Sequence, residues 1–200
     1  QLFQVGANAG QTIGINSIAN TTTAALGNIK FAAAVTGAAG AAATADATLS
    51  GLTINGAAIG DVKVKTGDTA AAQGMNIAAA INDKMGETGV IASADAATGA
   101  ITLTSVKAGK DLVVGGTVTG TGLTAASTTA AATTTASFAK DVDITTAAGA
   151  QKALEIMDAS LTAVNSSRAD LGAIQNRFSS VVANLQTNAE NTTASRSRIQ

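Results

Sequence analysis

Apolar side chains recur every three and four positions from Thr145 to the end of the chain. Two series repeat every seventh residue: Leu154, Leu161, Arg168, Gln175 and Val182, and Met157, Val164, Leu171, Phe178 and Leu185. Interleaved, they are the a and d positions of a heptad seam, which predicts one long helix. Ile174 and Val181 widen the seam, as packing against more than one helix requires. About 50 residues at 1.5 Å each predict a rod on the order of 75 Å long, which needs partner helices.

The middle of the chain alternates short apolar runs with turn residues. Val62 and Val64 alternate with lysines, as in a half-buried strand, and Asn55-Gly56 predicts a tight turn. Residues 70–85 predict a helix capped by Asp68 or Thr69 and ended by Gly86 and Gly89. Its predicted apolar stripe comprises Ala72, Met75 and Ala79, joined by Ile77 and Ile81. Further strands are predicted, one that begins at Val90 and Ile91 and two at residues 101–104 and 112–114.

The remaining segments carry weaker patterns. Residues 2–18 read as extended structure with a turn or bulge over Gly6 to Gly10, and residues 20–46 have Phe31 and Val35 as anchors. Residues 117–137, rich in Thr, Ala and Gly, predict a linker with one weak strand. The predicted class is therefore α+β: a long C-terminal helix with a β-rich module that contains one short helix.

Composition narrows the classes of partner. The chain has 12 basic and 13 acidic residues and a formal net charge of −1, so nothing favours nucleic acid, which needs a concentrated basic surface. No apolar run approaches the roughly 20 residues of a membrane helix. Aromatic residues make up 2% of the chain. The large side chains that fill a core must therefore be mainly Leu, Ile and Val.

Missing residue types argue against catalysis. The chain has no Cys, His or Pro, which removes the thiol nucleophile, the usual general base and the commonest zinc ligands. Asp61 and Asp68 are better explained as turn and cap residues than as calcium ligands, because the spacing of a calcium loop is missing. We therefore expect no enzyme activity, no cofactor and no metal site.

Three short runs resemble one protein family. The runs are FQVGANAGQT at residues 3–12, ADLGAIQNRF at residues 169–178 and ASRSRI at residues 194–199. The first resembles the strand after the N-terminal helices of bacterial flagellins, and the other two resemble the flagellin C-terminal core helix. LTINGAAIG, at residues 52–60, is similar to a repeat of flagellin central regions.

The resemblance implies a structural subunit of the flagellar filament, located outside the cell. Residues 1–20 and 138–200 would form the core part, with its strand and long helix, and residues 21–137 the variable outer module. The absence of an initiating Met and of the family's N-terminal helices predicts that the sequence is a piece of a longer protein. Other flagellin subunits would be its partners in a homopolymer. The full-length protein is expected to be recognised by a host innate immune receptor.

The predicted packing and assembly residues lie on the long helix: Leu154, Leu161, Val164, Arg168, Leu171, Ile174, Gln175, Phe178, Val182 and Leu185. Arg168 and Gln175, at seam positions, are either polar locks to neighbouring helices or side chains that extend past the seam edge into solvent. Asp170, Asn176 and Arg177 lie off the stripe and are a candidate partner or receptor surface, or else a solvated face.

Two alternatives to a filament subunit stay open at this stage. A hook-associated protein belongs to the same structural class, and ADLGAIQNRF favours a filament flagellin over it. A surface adhesin or glycan-bearing module would instead use the Thr-rich middle of the chain. A metalloprotease within a flagellin-like scaffold is disfavoured, because its motif needs two His residues.

Overall fold

The computed structural model describes residues 2–4, 12–14, 20–132 and 135–199. The chain divides into two compact units. The helical unit comprises Gln1–Thr22 and Leu161–Gln200, and the β-rich unit comprises Thr23–Ser160. Residues 138–160, which the sequence analysis grouped with the core part, thus fall in the β-rich unit.

The elements are short except for the last helix. The strands are β1 (Leu2–Gln4), β2 (Thr12–Gly14), β3 (Val35–Thr36), β4 (Ala47–Leu49), β5 (Leu52–Ile54), β6 (Ala57–Ala58), β7 (Val62–Val64), β8 (Val90–Ala94), β9 (Ile101–Ser105), β10 (Leu112–Gly116) and β11 (Ala126–Thr128). The helices are α1 (Ala70–Asp83), α2 (Met85–Thr88) and α3 (Ala147–Ile199), with a 3₁₀ turn at Ala139–Asp141. The predicted α+β class is confirmed.

Antiparallel pairing organises the described strands. In the helical unit β1 pairs with β2. The β-rich unit holds a sheet of order β11-β10-β5-β6, a sheet of order β3-β9-β8, and the pair β4-β7. The weak strand predicted within residues 117–137 is β11, and the predicted turn over Gly6 to Gly10 lies outside the described residues.

The Asn55-Gly56 turn joins β5 to β6 and also ties down two other segments. Both residues have positive φ, 51° and 82°, as the tight turn requires. The Asn55 side-chain amide donates to the carbonyl of Thr88 at 2.7 Å, and its oxygen accepts from the backbone N–H of Val113 at 2.7 Å. One side chain therefore links the hairpin to the end of α2 and to β10.

Helix α1 begins at Thr69, whose hydroxyl accepts from the N–H of Ala72 at 3.2 Å. The other predicted cap, Asp68, instead accepts from the N–H of Lys65 at 2.8 Å. Helix α1 ends at Asp83 with Lys84 as its C-cap, so Gly89 does not end it as predicted. Gly89 instead ends the separate helix α2, in the left-handed conformation at φ 66°. The prediction that Gly86 ends α1 was also wrong, because Gly86 lies within α2.

The predicted buried face of α1 was partly wrong. Helix α1 buries Gln73, Gly74, Ile77, Ala78 and Ile81. Met75 is 50% exposed, and Ala72 and Ala79 lie outside the core. Ile77 and Ile81, four residues apart, lie on one side of the helix and define its buried face. Gly74 shares that face because any Cβ there would clash with the carbonyl oxygen of Gly99.

One hydrophobic core holds the β-rich unit together. Its fully buried members come from both larger sheets and from α1, and include Ile54, Ile77, Ile81, Val90, Ile101, Leu103 and Leu112. Full burial of such a side chain stabilises the fold by about 1.5–3 kcal/mol. The first turns of α3 are anchored on this unit.

Candidate assembly surface

Helix α3 begins at Ala147 after a threonine cap. The Thr146 hydroxyl accepts from the N–H of Gly149 at 3.0 Å, and the Thr146 carbonyl accepts from the N–H of Ala150 at 2.9 Å. These bonds satisfy donors that the first helical turn would otherwise leave unpaired. The chain holds no proline that could interrupt the helix, which continues to Ile199.

The first turns of α3 pack within the β-rich unit. Ala153, Ile156 and Ser160 are buried there. The Nζ of Lys107 lies 2.6 Å from Oε1 of Glu155. The hydrogen bond and charge of Glu155 raise the pKa of Lys107, with Asp158 adding a smaller attraction. This side of the helix is therefore anchored by both apolar and ionic contacts.

Two apolar side chains in the first turns of α3 are not covered by the β-rich unit. Leu154 is 61% exposed and Met157 is 44% exposed. Two apolar positions of the predicted seam thus remain accessible at the start of the helix.

Within the helical unit, the β1–β2 hairpin lies against one edge of the apolar stripe. The rings of Phe3 and Phe178 meet edge to face with centroids 5.8 Å apart. Ile13 is 3% exposed and borders a shallow pocket together with Arg177, Ser180 and Val181. Phe178 is therefore already in contact with another part of the same unit.

The rest of the stripe is largely open. Leu161 is 61% exposed, Val182 is 51%, Leu185 is 44% and Leu171 is 38%. The polar seam residues Arg168 and Gln175 are exposed among them, whereas Val164, Ile174 and Phe178 are half-buried. The structure thus separates the predicted set into positions that the unit itself covers and positions that it leaves accessible.

The three residues of the candidate receptor surface do not share one environment. Asp170, Asn176 and Arg177 are all exposed. Asn176 and Arg177, however, border the pocket of Ile13, so they flank the hairpin. A receptor role for any of the three stays a prediction.

Contacts of the hairpin with the helix were not foreseen from the sequence. Phe3 and Ile13 were assigned to extended structure without a partner, although two bulky apolar residues in such a short segment indicate one. The ion pair between Lys107 and Glu155 was also missed, because 48 residues separate its members.

Two other kinds of site are missing from residues 2–4, 12–14, 20–132 and 135–199. None of the helices there has the length and hydropathy needed to cross a membrane. That part of the chain also shows no group of three or more acidic residues that could hold a metal ion.

Most of α3 is similar to a segment of known proteins. Residues 154–200 match the bacterial flagellin C-terminal helical region. The polar flagellin A of Vibrio parahaemolyticus is 51% identical over 61 residues, which is 30% of this chain and 16% of that protein. The B-type flagellin of Pseudomonas aeruginosa is 52% identical over 59 residues, which is 30% of this chain and 12% of that protein.

A third relative gives the same result. Flagellin B of Vibrio cholerae is 53% identical over 60 residues, again 30% of this chain and 16% of the relative. The match thus spans about a sixth of the length of these Vibrio flagellins. The resemblance to flagellins is confirmed for the C-terminal third of the chain.

Proposed function

We propose that this chain is part of a structural subunit of the bacterial flagellar filament and not an enzyme. The exposed edge of α3 would pack against helices of other subunits, and the β-rich unit would form the outer module. The observation that carries the proposal is the row of exposed apolar side chains at Leu161, Leu171, Val182 and Leu185 on a helix that matches the flagellin C-terminal region.

Burial of this edge would supply the free energy of assembly. Each leucine or valine stabilises a contact by about 1.5–3 kcal/mol when it goes from fully exposed to buried, so a half-exposed residue gives roughly half of that. Four such positions yield a few kcal/mol per helix, and a helical array repeats the contact in every subunit. Arg168 and Gln175, exposed on the same edge, would fix the register, as polar seam residues do in coiled coils.

The proposed location is the extracellular filament, where the chain would support swimming motility. Other copies of the subunit are the proposed partners. Recognition of the complete protein by a host innate immune receptor is a further proposal. Asp170 is the candidate contact that lies outside the hairpin's pocket.

The association of the chain in solution tests the proposal. We expect the unmodified chain to self-associate in a concentration-dependent way in sedimentation velocity. The double substitution Leu161→Asp and Val182→Asp should abolish this association, because it places two charges in an apolar contact. Asn184→Asp is the matched control: it adds one charge at an exposed position two residues from Val182 and should leave association unchanged.

Circular dichroism must show the same helix content in all three proteins. If the unmodified chain stays strictly monomeric with an intact helix, the proposed role of the exposed edge is wrong.

A further inference from the structure

A cavity of about 300 Å³ lies within the β-rich unit, beside the start of α3. Its walls include the hydroxyl-bearing residues Thr104, Ser137 and Thr146, together with Asp143, Ile156 and Lys152. A water molecule takes up roughly 30 Å³ in the liquid, so the cavity has room for a group of several heavy atoms next to the Lys152 side chain. No part of the proposed filament contact involves this cavity.

Lys152 differs from the other lysines in its surroundings. Its side chain is half-buried, and its Nζ lies 5.0 Å from the ring centroid of Phe31, which is 5% exposed. Among the described residues it forms no ion pair, whereas Lys84, Lys107 and Lys140 each pair with a carboxylate. Its ammonium is therefore partly removed from water and lies near an aromatic ring.

The carboxylates that border the cavity are already engaged. Asp141 accepts from Lys140 and from the N–H of Phe138. Asp143 accepts from the N–H of Thr145 at 2.9 Å and from its hydroxyl at 2.7 Å. Asp143 and Asp141 thus stabilise their own loops, and neither carboxylate forms an ion pair with Lys152.

This environment gives Lys152 a larger fraction of neutral amine than an exposed lysine has. Burial lowers the pKa of Lys152, and each unit of lowering raises the fraction of unprotonated amine near neutral pH about tenfold. The Phe31 ring offsets part of this effect, because it attracts a cation. The unprotonated amine is the form that reacts with carbonyl carbons.

We propose that Lys152 is a site of Nε-acylation that takes a small acyl group from an activated donor, either an acyl thioester or an acyl phosphate. The Nζ lone pair attacks the acyl carbon and a C–N bond forms. The bond from that carbon to sulfur or to phosphate oxygen breaks, and the thiolate or phosphate leaves with the electron pair. The Nζ proton passes to solvent.

The product fits the cavity better than the free lysine does. An amide carries no charge, so the cost of partly burying an ammonium disappears. The hydroxyls of Thr104 and Ser137, which line the same cavity, can donate to the new carbonyl oxygen. Acylation would therefore stabilise the β-rich unit where α3 is anchored to it.

Site-resolved acetylation rates test the proposal. The folded chain is treated with a limiting amount of acetyl phosphate at pH 7.5, and initial rates at all eight lysines are read by peptide mass spectrometry. We expect Lys152 to react several-fold faster than Lys63, which is exposed and unpaired in the described structure, and faster still than Lys107. In the chain unfolded by urea the rates should become equal.

Two outcomes would overturn the proposal. One is a Lys152 rate equal to or below that of Lys63 in the folded chain. The other is the same Lys152 preference after unfolding, which would trace it to local sequence and not to the cavity.

A pair of variants checks the consequence for stability. Lys152→Gln, which resembles the acetylated side chain, should raise the melting temperature of the β-rich unit, whereas Lys152→Arg, which keeps the charge, should not. Equal melting temperatures for the two variants would contradict the inferred cost of the ammonium.

Discussion

The two units of this chain bury their apolar side chains to very different extents. In the β-rich unit Ile54, Ile81, Val90, Leu103 and Leu112 all have 0% exposure. In the helical unit Leu161, Leu171, Val182 and Leu185 of α3 keep between 38% and 61% of their surface. All three buried residues of α3 precede Leu161 and thus belong to the β-rich unit.

The difference shows that one unit closes its own core and the other does not. A lone helix can bury only one stripe, and a two-stranded hairpin can cover only part of it. In the β-rich unit, one face of α1 packs into the core with residues of both larger sheets, and the large side chains there are covered. Stability of the two units should therefore respond to different substitutions and to different partners.

The largest expected effect comes from the closed core. Leu103→Ala should destabilise the β-rich unit by about 2–5 kcal/mol, a large part of the usual 5–15 kcal/mol of a domain. Hydrogen exchange read by mass spectrometry should show faster exchange over residues 90–116 but not over residues 165–195. Met75→Ala is the control: Met75 is 50% exposed, so its truncation should cost less than about 1 kcal/mol.

Equally faster hydrogen exchange in both units would contradict the view that each unit is stabilised by its own contacts. It would mean that the helical unit depends on the core around Leu103.

Asn55→Asp should have the next largest effect. The substitution removes the donor to the Thr88 carbonyl and sets a carboxylate against that oxygen. A buried acceptor left without its donor costs about 1–3 kcal/mol. Urea unfolding followed by circular dichroism would measure the loss. Asn76→Asp, on the exposed face of α1, adds the same charge and should cost much less; a similar cost would show that charge, and not the lost bond, is responsible.

Substitutions on the two edges of α3 should separate folding from association. Phe178→Ala removes the edge contact with Phe3, worth about 0.5–1.5 kcal/mol beyond the area it buries. Amide exchange at Leu2–Gln4 and Thr12–Gly14 should then become faster. Val182→Ala should leave hairpin exchange unchanged and weaken self-association. If both variants loosened the hairpin equally, the division of the helix into a covered and an open edge would be wrong.

The sequence allowed prediction of those features that local pattern controls. The heptad series predicted α3, the Asn55-Gly56 dipeptide predicted its turn, and Thr69 was one of two predicted caps. Each depends on residues a few positions apart, so the physical cause lies within the window that was read.

Features that depend on distant residues could not be predicted in this way. The buried face of α1 depends on the approach of Gly99 to Gly74, and the covering of Phe178 depends on a hairpin near the other end of the chain. In the candidate surface, the sequence identified the apolar stripe. It could not say which edge of that stripe the hairpin covers.

Removing the ion pair between Lys107 and Glu155 should cause the smallest loss of stability, and the size of that loss should change with pH. Because Glu155 raises the pKa of Lys107, the pair stabilises the β-rich unit below the ordinary lysine pKa of about 10.4. The stabilisation is lost as pH rises through the raised value in the folded protein. Melting temperatures of the unmodified chain and of Glu155→Gln should therefore differ at pH 8 and converge towards pH 12.

The effect should be small because the Lys107 side chain is 54% exposed and solvent screens the pair. Glu87→Gln is the matched control: it breaks the 3.0 Å pair of Glu87 with Lys84, which lies within α2 and its cap. Glu155, at 25%, is less exposed than Glu87, at 62%, so its loss should cost more. A difference between Glu155→Gln and the unmodified chain that persisted unchanged to pH 12 would show that Glu155 anchors α3 by packing and not by its charge.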